Sequence, residues 1–226
     1  EQKEGPLKYN GVVYNEMKGA FSSPDEVLER EIMNHLFPDT TYGCESGGDP
    51  KNIPDLTYEN FLNFHRTYYH PSNSYIYLYG NMDMEEKLAF LDEHYLSHFD
   101  YLDVDSVIQE QKAFGACQDV TLEYPVAENE GEEDNTYLSY NMVVGNAADS
   151  QMAMAFEVLD YALLSAPGAP LKQALLDVKA GKDVYGSYDD GILQPYFTVI
   201  AKGSNPDRKE EFVSVIRQVL GDIVKN

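Results

Sequence analysis

A strand-forming run near the end of the chain decides the fold class, and it reads QPYFTVIAK at residues 194–202. β-Branched and aromatic residues dominate this run, as they do in strands that pack on a core. A shorter strand pattern, Val184–Tyr188, precedes it, and a helical pattern follows at Pro206–Val224. This order predicts an antiparallel strand pair covered by a helix.

The same half of the chain continues to alternate strands and helices toward the N-terminus. The pattern predicts strands at Val120–Tyr124 and Tyr137–Val144 and helices at Ser150–Leu164 and Pro170–Ala180. Hairpins mixed with helix pairs are typical of an α+β fold, in which helices pack on one face of a mixed, mainly antiparallel sheet. We therefore predict that class.

The first hundred residues are predicted to be mostly helical. Apolar spacing and cap residues predict helices at Val12–Phe21, Pro24–Phe37, Thr57–Tyr68 and Asp83–Phe99. The second of these opens on Ser23-Pro24-Asp25-Glu26, which has the pattern of a capping box with proline at the first helical position. A β-rich run, Ser74–Tyr79, predicts a strand, and residues 100–116 lack periodicity and indicate a linker.

Composition restricts the class of partner. Of the 226 residues, 43% are hydrophobic, which predicts a globular chain, and 16 Lys+Arg against 39 Asp+Glu give a formal charge of -23. Phosphate backbones and anionic lipid surfaces bind clustered cations, so we predict no nucleic-acid partner and no membrane partner. No apolar run approaches the ~20 residues of a membrane-spanning helix.

The cysteines bear on the compartment. Cys44 and Cys117 are too few for a disulfide framework, and no C-x-x-C occurs. Reduced thiols indicate a cytosol-like compartment, so we predict a cytoplasmic location, with an organelle as the alternative if the whole protein carries a transit peptide.

Histidine spacing offers one candidate metal pair. His94 and His98 are four residues apart on a predicted helix, a spacing that places two imidazoles on one face. Zinc peptidase motifs require Glu at 95 or 97, whereas these positions hold Tyr95 and Ser97, so an ordinary surface helix is the favoured interpretation. The Gly47-Gly48 pair favours a tight turn over an anion cradle.

A run of motifs resembles a known family. The segment GVVYNEMKG at residues 11–19 is similar to a motif of the pitrilysin/insulinase superfamily of zinc metallopeptidases (inverzincins), in its presequence protease branch. Further segments resemble the same branch in the same order: Leu36–Asp39, Tyr42-Gly43, Ser46–Pro50, Ile53–Thr57, Phe64-His65 and Tyr69–Asn73. The resemblance is dense over residues 11–99 and looser over residues 117–226.

The resemblance implies a zinc ligand. In this family two histidines of an H-x-x-E-H motif and one downstream glutamate hold catalytic zinc, and the matching glutamate here is Glu16. Two histidines and a carboxylate leave the fourth tetrahedral position open for water. Asn15 is a candidate for orienting Glu16 by a hydrogen bond, with helix packing as its alternative role.

The sequence departs from the family at its central motif, because it contains no H-x-x-E-H. The resemblance therefore implies an internal fragment: residues 1–103 from the later part of a catalytic first domain, a linker at 104–116, and residues 117–226 from the earlier part of a non-catalytic second domain. The two partial domains are expected to be halves of metallopeptidase α/β rolls. No catalytic residue is expected in the fragment itself.

These implications define the expected function. The parent would be a zinc metalloendopeptidase that degrades unstructured peptides, while the fragment would be inactive and would not retain zinc. Its expected partners are peptide substrates and the missing N- and C-terminal parts of the same polypeptide, with a homodimer of the fragment as a further expectation. The alternative is a non-catalytic peptide-binding or scaffold member of the same fold.

Overall fold

The computed structural model describes residues 5–127 and 131–225. Its elements in chain order are α1 (Val12–Ala20), α2 (Pro24–Leu36), α3 (Tyr58–Tyr68), α4 (Met84–His94), β1 (Thr136–Val143), α5 (Ser150–Asp160), α6 (Pro170–Asp177), β2 (Asp183–Asp189), β3 (Tyr196–Ser204) and α7 (Lys209–Lys225). A π-helical turn, Tyr161–Ser165, extends α5. The α+β class predicted from the sequence is confirmed.

The described chain divides into two compact units. Unit 1 comprises residues 5–14 and 48–108, and unit 2 comprises residues 15–47, 109–127 and 131–225. The units do not follow the predicted domain boundaries, because residues 15–47 group with the later half of the chain. The domain assignment itself stays a prediction.

Unit 2 is built on a three-stranded antiparallel sheet with the order β1-β3-β2. The run at residues 194–202 supplies most of the central strand, β3, whose first six residues, Tyr196–Ala201, are all buried. Its register pairs Thr198 with Asn141 of β1 and with Ser187 of β2. A central strand flanked on both sides satisfies its backbone hydrogen bonds within the sheet.

One face of this sheet carries the main hydrophobic core. Its buried side chains come from the three strands, the π-helical turn, α6 and α7, with Ala180 following α6: Leu138, Leu163, Leu164, Leu171, Leu175, Ala180, Val184, Phe197, Val199, Ala201, Phe212 and Ile216. Because successive strand residues alternate between faces, Phe197, Val199 and Ala201 all point into this core. The predicted packing of helices on a sheet face is present here.

Helix α2 lies on the opposite face of the same sheet. Ile32 and Phe37 pack there with Tyr196 and Ile200 in a second buried cluster. Phe37 is fully buried, and its ring meets that of Tyr196 edge-on at 6.2 Å. This second cluster holds the early segment of the chain against a sheet formed almost entirely by residues more than a hundred positions downstream.

Unit 1 contains α3 and α4 without a buried core. In the described part of this unit no hydrophobic side chain is buried, and Phe61 and Phe64 of α3 are 69% and 60% exposed. Polar contacts join the turn after α3, Pro71–Asn73, to the loop that follows α4. The Leu102 N–H donates to Ser72 Oγ at 3.1 Å, and Ser106 Oγ donates to Asn73 Oδ1. Unit 1 therefore has much less burial to stabilise it than unit 2.

Two predicted strands are absent. Ser74–Tyr79 and Val120–Tyr124 form neither helix nor strand, and Tyr75, Tyr77 and Tyr79 are exposed. A strand needs a partner for its ladder of hydrogen bonds, and within the described residues neither run has one. Side-chain propensity alone therefore predicted these strands wrongly.

The helix caps were predicted with mixed success. Thr57 forms a capping box with Asn60, and Asp83 Oδ1 accepts from the Glu86 N–H at 3.1 Å, which confirms both starts. The capping box predicted at Ser23 is wrong, since Ser23 makes no side-chain cap bond at the start of α2. The neighbouring Asp25 contacts the sheet instead.

Candidate functional site

Glu16 lies in the middle of α1 with an exposed side chain. The segment Asn15–Ala20 belongs to unit 2, so the proposed ligand groups with the sheet. Asn15 precedes Glu16 on the same helix and is also exposed. The structure thus gives Glu16 an accessible carboxylate, while the ligand role of Glu16 and the orienting role of Asn15 stay predictions.

Two contacts hold the segment of α1 that carries Glu16. A side chain at Gly47 would overlap Met17 Sδ, which shows that Met17 packs directly on the Gly47 backbone. After α1 ends, the guanidinium of Arg30 in α2 lies 3.9 Å from the centre of the Phe21 ring. The two contacts lie on either side of the corner between α1 and α2.

The chain's own residues fit only one position of a zinc site. Carboxylate oxygen is an ordinary zinc ligand, and an exposed Glu16 can supply it. Across residues 5–127 and 131–225, however, no three His, Cys, Asp or Glu side chains are grouped so that they could hold a metal ion. The remaining ligands of any zinc site at Glu16 would have to come from other parts of a longer protein.

The histidines are engaged elsewhere. His94 and His98 do not share one helical face, because α4 ends at His94 and His98 lies in a separate 3-10 turn. His65 stacks on Tyr69 at 4.6 Å, and His70 Nδ1 accepts from the Ser72 N–H at 3.2 Å. Packing accounts for the position of His65, and capping accounts for that of His70.

A second polar cluster, which we call the Asp25 cluster, joins α2 to the sheet. The carboxylate of Asp25 accepts from Lys202 Nζ at 2.8 and 3.1 Å, from the Tyr185 hydroxyl at 3.2 Å and from the Tyr137 hydroxyl at 3.4 Å. Tyr137 lies on β1, Tyr185 on β2 and Lys202 on β3. One side chain of α2 is therefore bound by all three strands.

Within the Asp25 cluster, Asp25 and Lys202 each stabilise the charged form of the other. The hydrogen bond from Lys202 holds the pKa of Asp25 below its usual value, and the same bond raises the pKa of Lys202. Burial, followed by the nearby Asp25 charge, raises the pKa of Tyr185 to about 12. At neutral pH Asp25 is thus a carboxylate, Lys202 an ammonium and Tyr185 a neutral hydroxyl donor.

A groove of about 430 Å³ runs beside this cluster between α2 and the strands β2 and β3. Its lining is mixed: Leu28, Ile32 and Ile200 are apolar, while Glu29 and Asp189 are acidic. The Tyr196 hydroxyl donates to Asp189 Oδ2 at 3.2 Å. The groove therefore lies on the sheet face that α2 covers, beside the second buried cluster.

Sequence reasoning placed Asp25 inside a predicted capping box, between Ser23 and Glu26, and missed this cluster. Asp25 and Lys202 are 177 residues apart, so no local pattern connects them. The available signal was weak: a lysine at the end of an otherwise apolar strand needs a polar neighbour or solvent. Periodicity cannot identify which neighbour the fold supplies.

Comparisons with known proteins point to one family. A family model described as the Peptidase M16 inactive domain matches residues 55–226, which is more than half of the chain. Protein HypA of Clostridium perfringens (strain 13 / Type A) is 50% identical over 226 residues, covering 100% of this chain and 23% of that protein. Presequence protease 1, chloroplastic/mitochondrial, of Arabidopsis thaliana is 38% identical, covering 97% of this chain and 20% of that protein.

Other similarities agree. The mitochondrial presequence protease of Xenopus laevis is 32% identical over 100% of this chain and 22% of its own length, so the chain spans about a fifth of the curated relatives it matches. The crystal structure of an M16-like peptidase from Alicyclobacillus acidocaldarius shares the fold, with a TM-score of 0.59 and 17% identity over 95% of this chain and 50% of that one. No helix in the described ranges is long and apolar enough to cross a bilayer.

Proposed function

Because the chain belongs to the peptidase M16 family, we propose that it is a segment of a zinc-dependent metalloendopeptidase that degrades unstructured peptides. Support comes from its similarity to presequence proteases over nearly its whole length. The segment itself would be inactive, since it lacks H-x-x-E-H and, in its described part, any grouped set of metal ligands. The activity belongs to the full-length protein.

The observation that carries this proposal is the placement of Glu16. Its carboxylate is exposed on a short helix that is braced by the Met17–Gly47 contact and by the stacking of Arg30 on Phe21. A metal ligand works best when its helix is held in one orientation. Glu16 lies before residues 55–226, so it is outside the stretch that matches the inactive-domain model.

The roles of the chain's residues follow from this placement. Glu16 would donate a carboxylate oxygen to zinc, and Asn15 would orient that carboxylate. When bound, zinc would lower the pKa of a water molecule toward ~7 and polarise the peptide carbonyl. The two histidine ligands and the general base would come from a motif outside this sequence.

One observation favours the non-catalytic alternative. The family model that matches residues 55–226 is described as an inactive domain. If the full-length protein also lacked H-x-x-E-H, the chain would be part of a peptide-binding or scaffold member of the same fold. Both proposals agree that residues 117–226 do no chemistry themselves.

The proposed organisation of the whole protein follows the resemblance. Residues 1–103 would complete a catalytic first domain, residues 104–116 would link the domains, and residues 117–226 would begin a second, non-catalytic domain. Peptides would be the substrates, and the remaining parts of the polypeptide would be partners of this segment. Two of the relatives named above have mitochondrial or chloroplastic in their names. We therefore propose two alternative locations for the whole protein, the cytoplasm or an organelle.

Glu16→Gln in the full-length protein tests the proposal. The amide is a much poorer zinc ligand than the carboxylate, so zinc content after dialysis and peptide hydrolysis are expected to fall together, the latter by about a hundredfold or more. Glu93→Gln, at an exposed position of α4, is the matched control and should leave both at the wild-type level.

Two outcomes would contradict parts of the proposal. Wild-type zinc content and turnover in Glu16→Gln would remove Glu16 from the metal site. A wild-type full-length protein that binds no zinc and cleaves no unstructured peptide would favour the non-catalytic alternative.

A further inference from the structure

The Asp25 cluster lies at the end of α2 that is nearest to α1. Three residues, Phe21–Ser23, connect the two helices, and backbone hydrogen bonds tie this connection to α1: the Phe21 N–H donates to the Met17 carbonyl at 2.9 Å and the Ser22 N–H to that of Gly19 at 3.0 Å. Ser22 Oγ also donates to the Gly19 carbonyl, at 2.6 Å. Because this connection is only three residues long and is hydrogen-bonded to α1, a displacement of α2 would also move α1.

The far end of α2 is anchored independently of this cluster. Phe37 is fully buried beside Tyr196, and the following Asp39 exchanges two hydrogen bonds with Gln111: its N–H donates to Gln111 Oε1 at 2.9 Å, and Gln111 Nε2 donates to Asp39 Oδ2 at 2.8 Å. Gln111 is itself only 7% exposed. This end of α2 can therefore serve as a pivot.

The near end of α2 contacts the sheet mainly through polar groups. Apart from the partly buried Leu28, it is the Asp25 carboxylate that binds the sheet, and it does so through one donor on each of the three strands. Three donors from different directions define the position of a carboxylate better than a single ion pair does. Loss of this contact would remove the polar attachment of this end of α2 to the sheet and let it move more about its buried end.

We propose that Asp25 is a positioning residue, which holds the α1–α2 corner against the sheet and thereby sets the position of Glu16. The consequence for zinc rests on the proposed function of Glu16, whereas the docking of the corner does not. Both Asp25 and Lys202 are about half exposed, with side-chain exposures of 50% and 44%, so the pair contributes little to global stability. Its effect is therefore local, on the orientation of α1 and α2.

Hydrogen exchange on the 226-residue chain tests the docking. Asp25→Asn and Lys202→Met should each raise amide exchange in residues 12–31 by about fivefold, because the corner opens more often, and the double variant should add little to either single change. Glu211→Gln is the matched control: it breaks a 2.8 Å ion pair with Arg208 whose carboxylate is 47% exposed, at the start of α7. It should leave residues 12–31 at the wild-type rate.

Zinc release from the full-length protein tests the link to Glu16. If zinc leaves when the corner opens, its transfer to a chelator should be about fivefold faster in Asp25→Asn, and Asp25→Glu should restore most of the wild-type rate. Wild-type exchange in residues 12–31 of Asp25→Asn, or an equal change in Glu211→Gln, would overturn the docking. Faster exchange with unchanged zinc release would overturn the positioning role.

Failure of the proposed function can be distinguished from failure of the docking and from failure of the positioning role. Full zinc retention in Glu16→Gln would show that Glu16 is not a ligand, while the exchange measurement on Asp25→Asn would still report whether the corner is docked.

Discussion

Asp25 makes two contributions, one to its own helix and one to the docking of that helix on the sheet. In the first turn of α2 its negative charge is favourable near the helix N-terminus, and its carboxylate also accepts from Lys202 of β3. The carboxylate points at the strands, so its orientation is set by the contacts with the sheet and not by the helix N-terminus. One residue thus links helix electrostatics to tertiary docking.

The protonation states of this cluster define a pH window. The lowered pKa of Asp25 means that its contribution is complete above its ordinary value near 3.8 and is lost as pH falls through the lower folded value. The raised pKa values of Tyr185 and Lys202 give the opposite pH dependence of stability. Their contributions are complete below about pH 10 and are lost as pH rises.

We predict that Tyr185 ionises at a pH of about 12, well above the ordinary tyrosine value near 10. Burial disfavours the phenolate, and the Asp25 carboxylate disfavours it further. A ¹³C-tyrosine NMR titration measures this value, with Tyr185→Phe identifying the signal. Asp25→Asn should lower the Tyr185 pKa, and a Tyr185 signal that titrates near pH 10 in the wild type would contradict the prediction.

At the scale of elements, β2 and β3 pack closely at one glycine. A Cβ at Gly186 would overlap the carbonyl oxygen of Thr198 on β3 and the side chain of Leu164. The carbonyl belongs to the sheet backbone and cannot move aside as a flexible side chain can. Gly186 is therefore required by the approach of the two strands.

We predict that Gly186→Ala lowers the free energy of unfolding by about 1–3 kcal/mol, because the sheet must shift to accept the methyl group. Urea denaturation followed by circular dichroism measures the change. Gly221→Ala is the matched control, since a Cβ there meets nothing within 4 Å and the position lies inside α7. That variant should be more stable by about 0.5–1 kcal/mol. Equal effects of the two substitutions would contradict the steric explanation.

At the scale of the whole molecule, burial is unevenly distributed. The two buried clusters, around Leu171 and Phe37, both lie in unit 2, and the described part of unit 1 has no buried hydrophobic side chain. Local opening costs less free energy where little apolar surface is buried. The two units should therefore differ in stability although they share one chain.

We predict that amides of α3 and α4 in unit 1 exchange at least about a hundredfold faster than those of β3 in unit 2. Hydrogen exchange on the 226-residue chain, followed by mass spectrometry, compares peptides from the two units in one sample. The π-helical turn Tyr161–Ser165, which contributes Leu163 and Leu164 to the core, serves as a reference for slow exchange outside the sheet. Similar protection in α3 and β3 would contradict the prediction.

The sequence by itself determined the elements whose signals are local. Apolar spacing and cap residues predicted the helices α1 to α7 of the described chain, with the Thr57 and Asp83 caps giving two helix starts, and the run at residues 194–202 predicted the strand that proves central. These predictions succeed because caps and periodicity act between residues a few positions apart. Of the candidate site, the resemblance supplied Glu16, and its role as a ligand stays a prediction.

Only the tertiary structure decided which distant residues meet. Propensity predicted a strand at Ser74–Tyr79, but a strand exists only where a second one pairs with it. Likewise Asp25 has no role that local sequence identifies, and only the folded sheet brings Lys202, Tyr185 and Tyr137 to it. Pairing and docking depend on contacts between segments far apart in sequence, and their free energy arises only once the chain has folded.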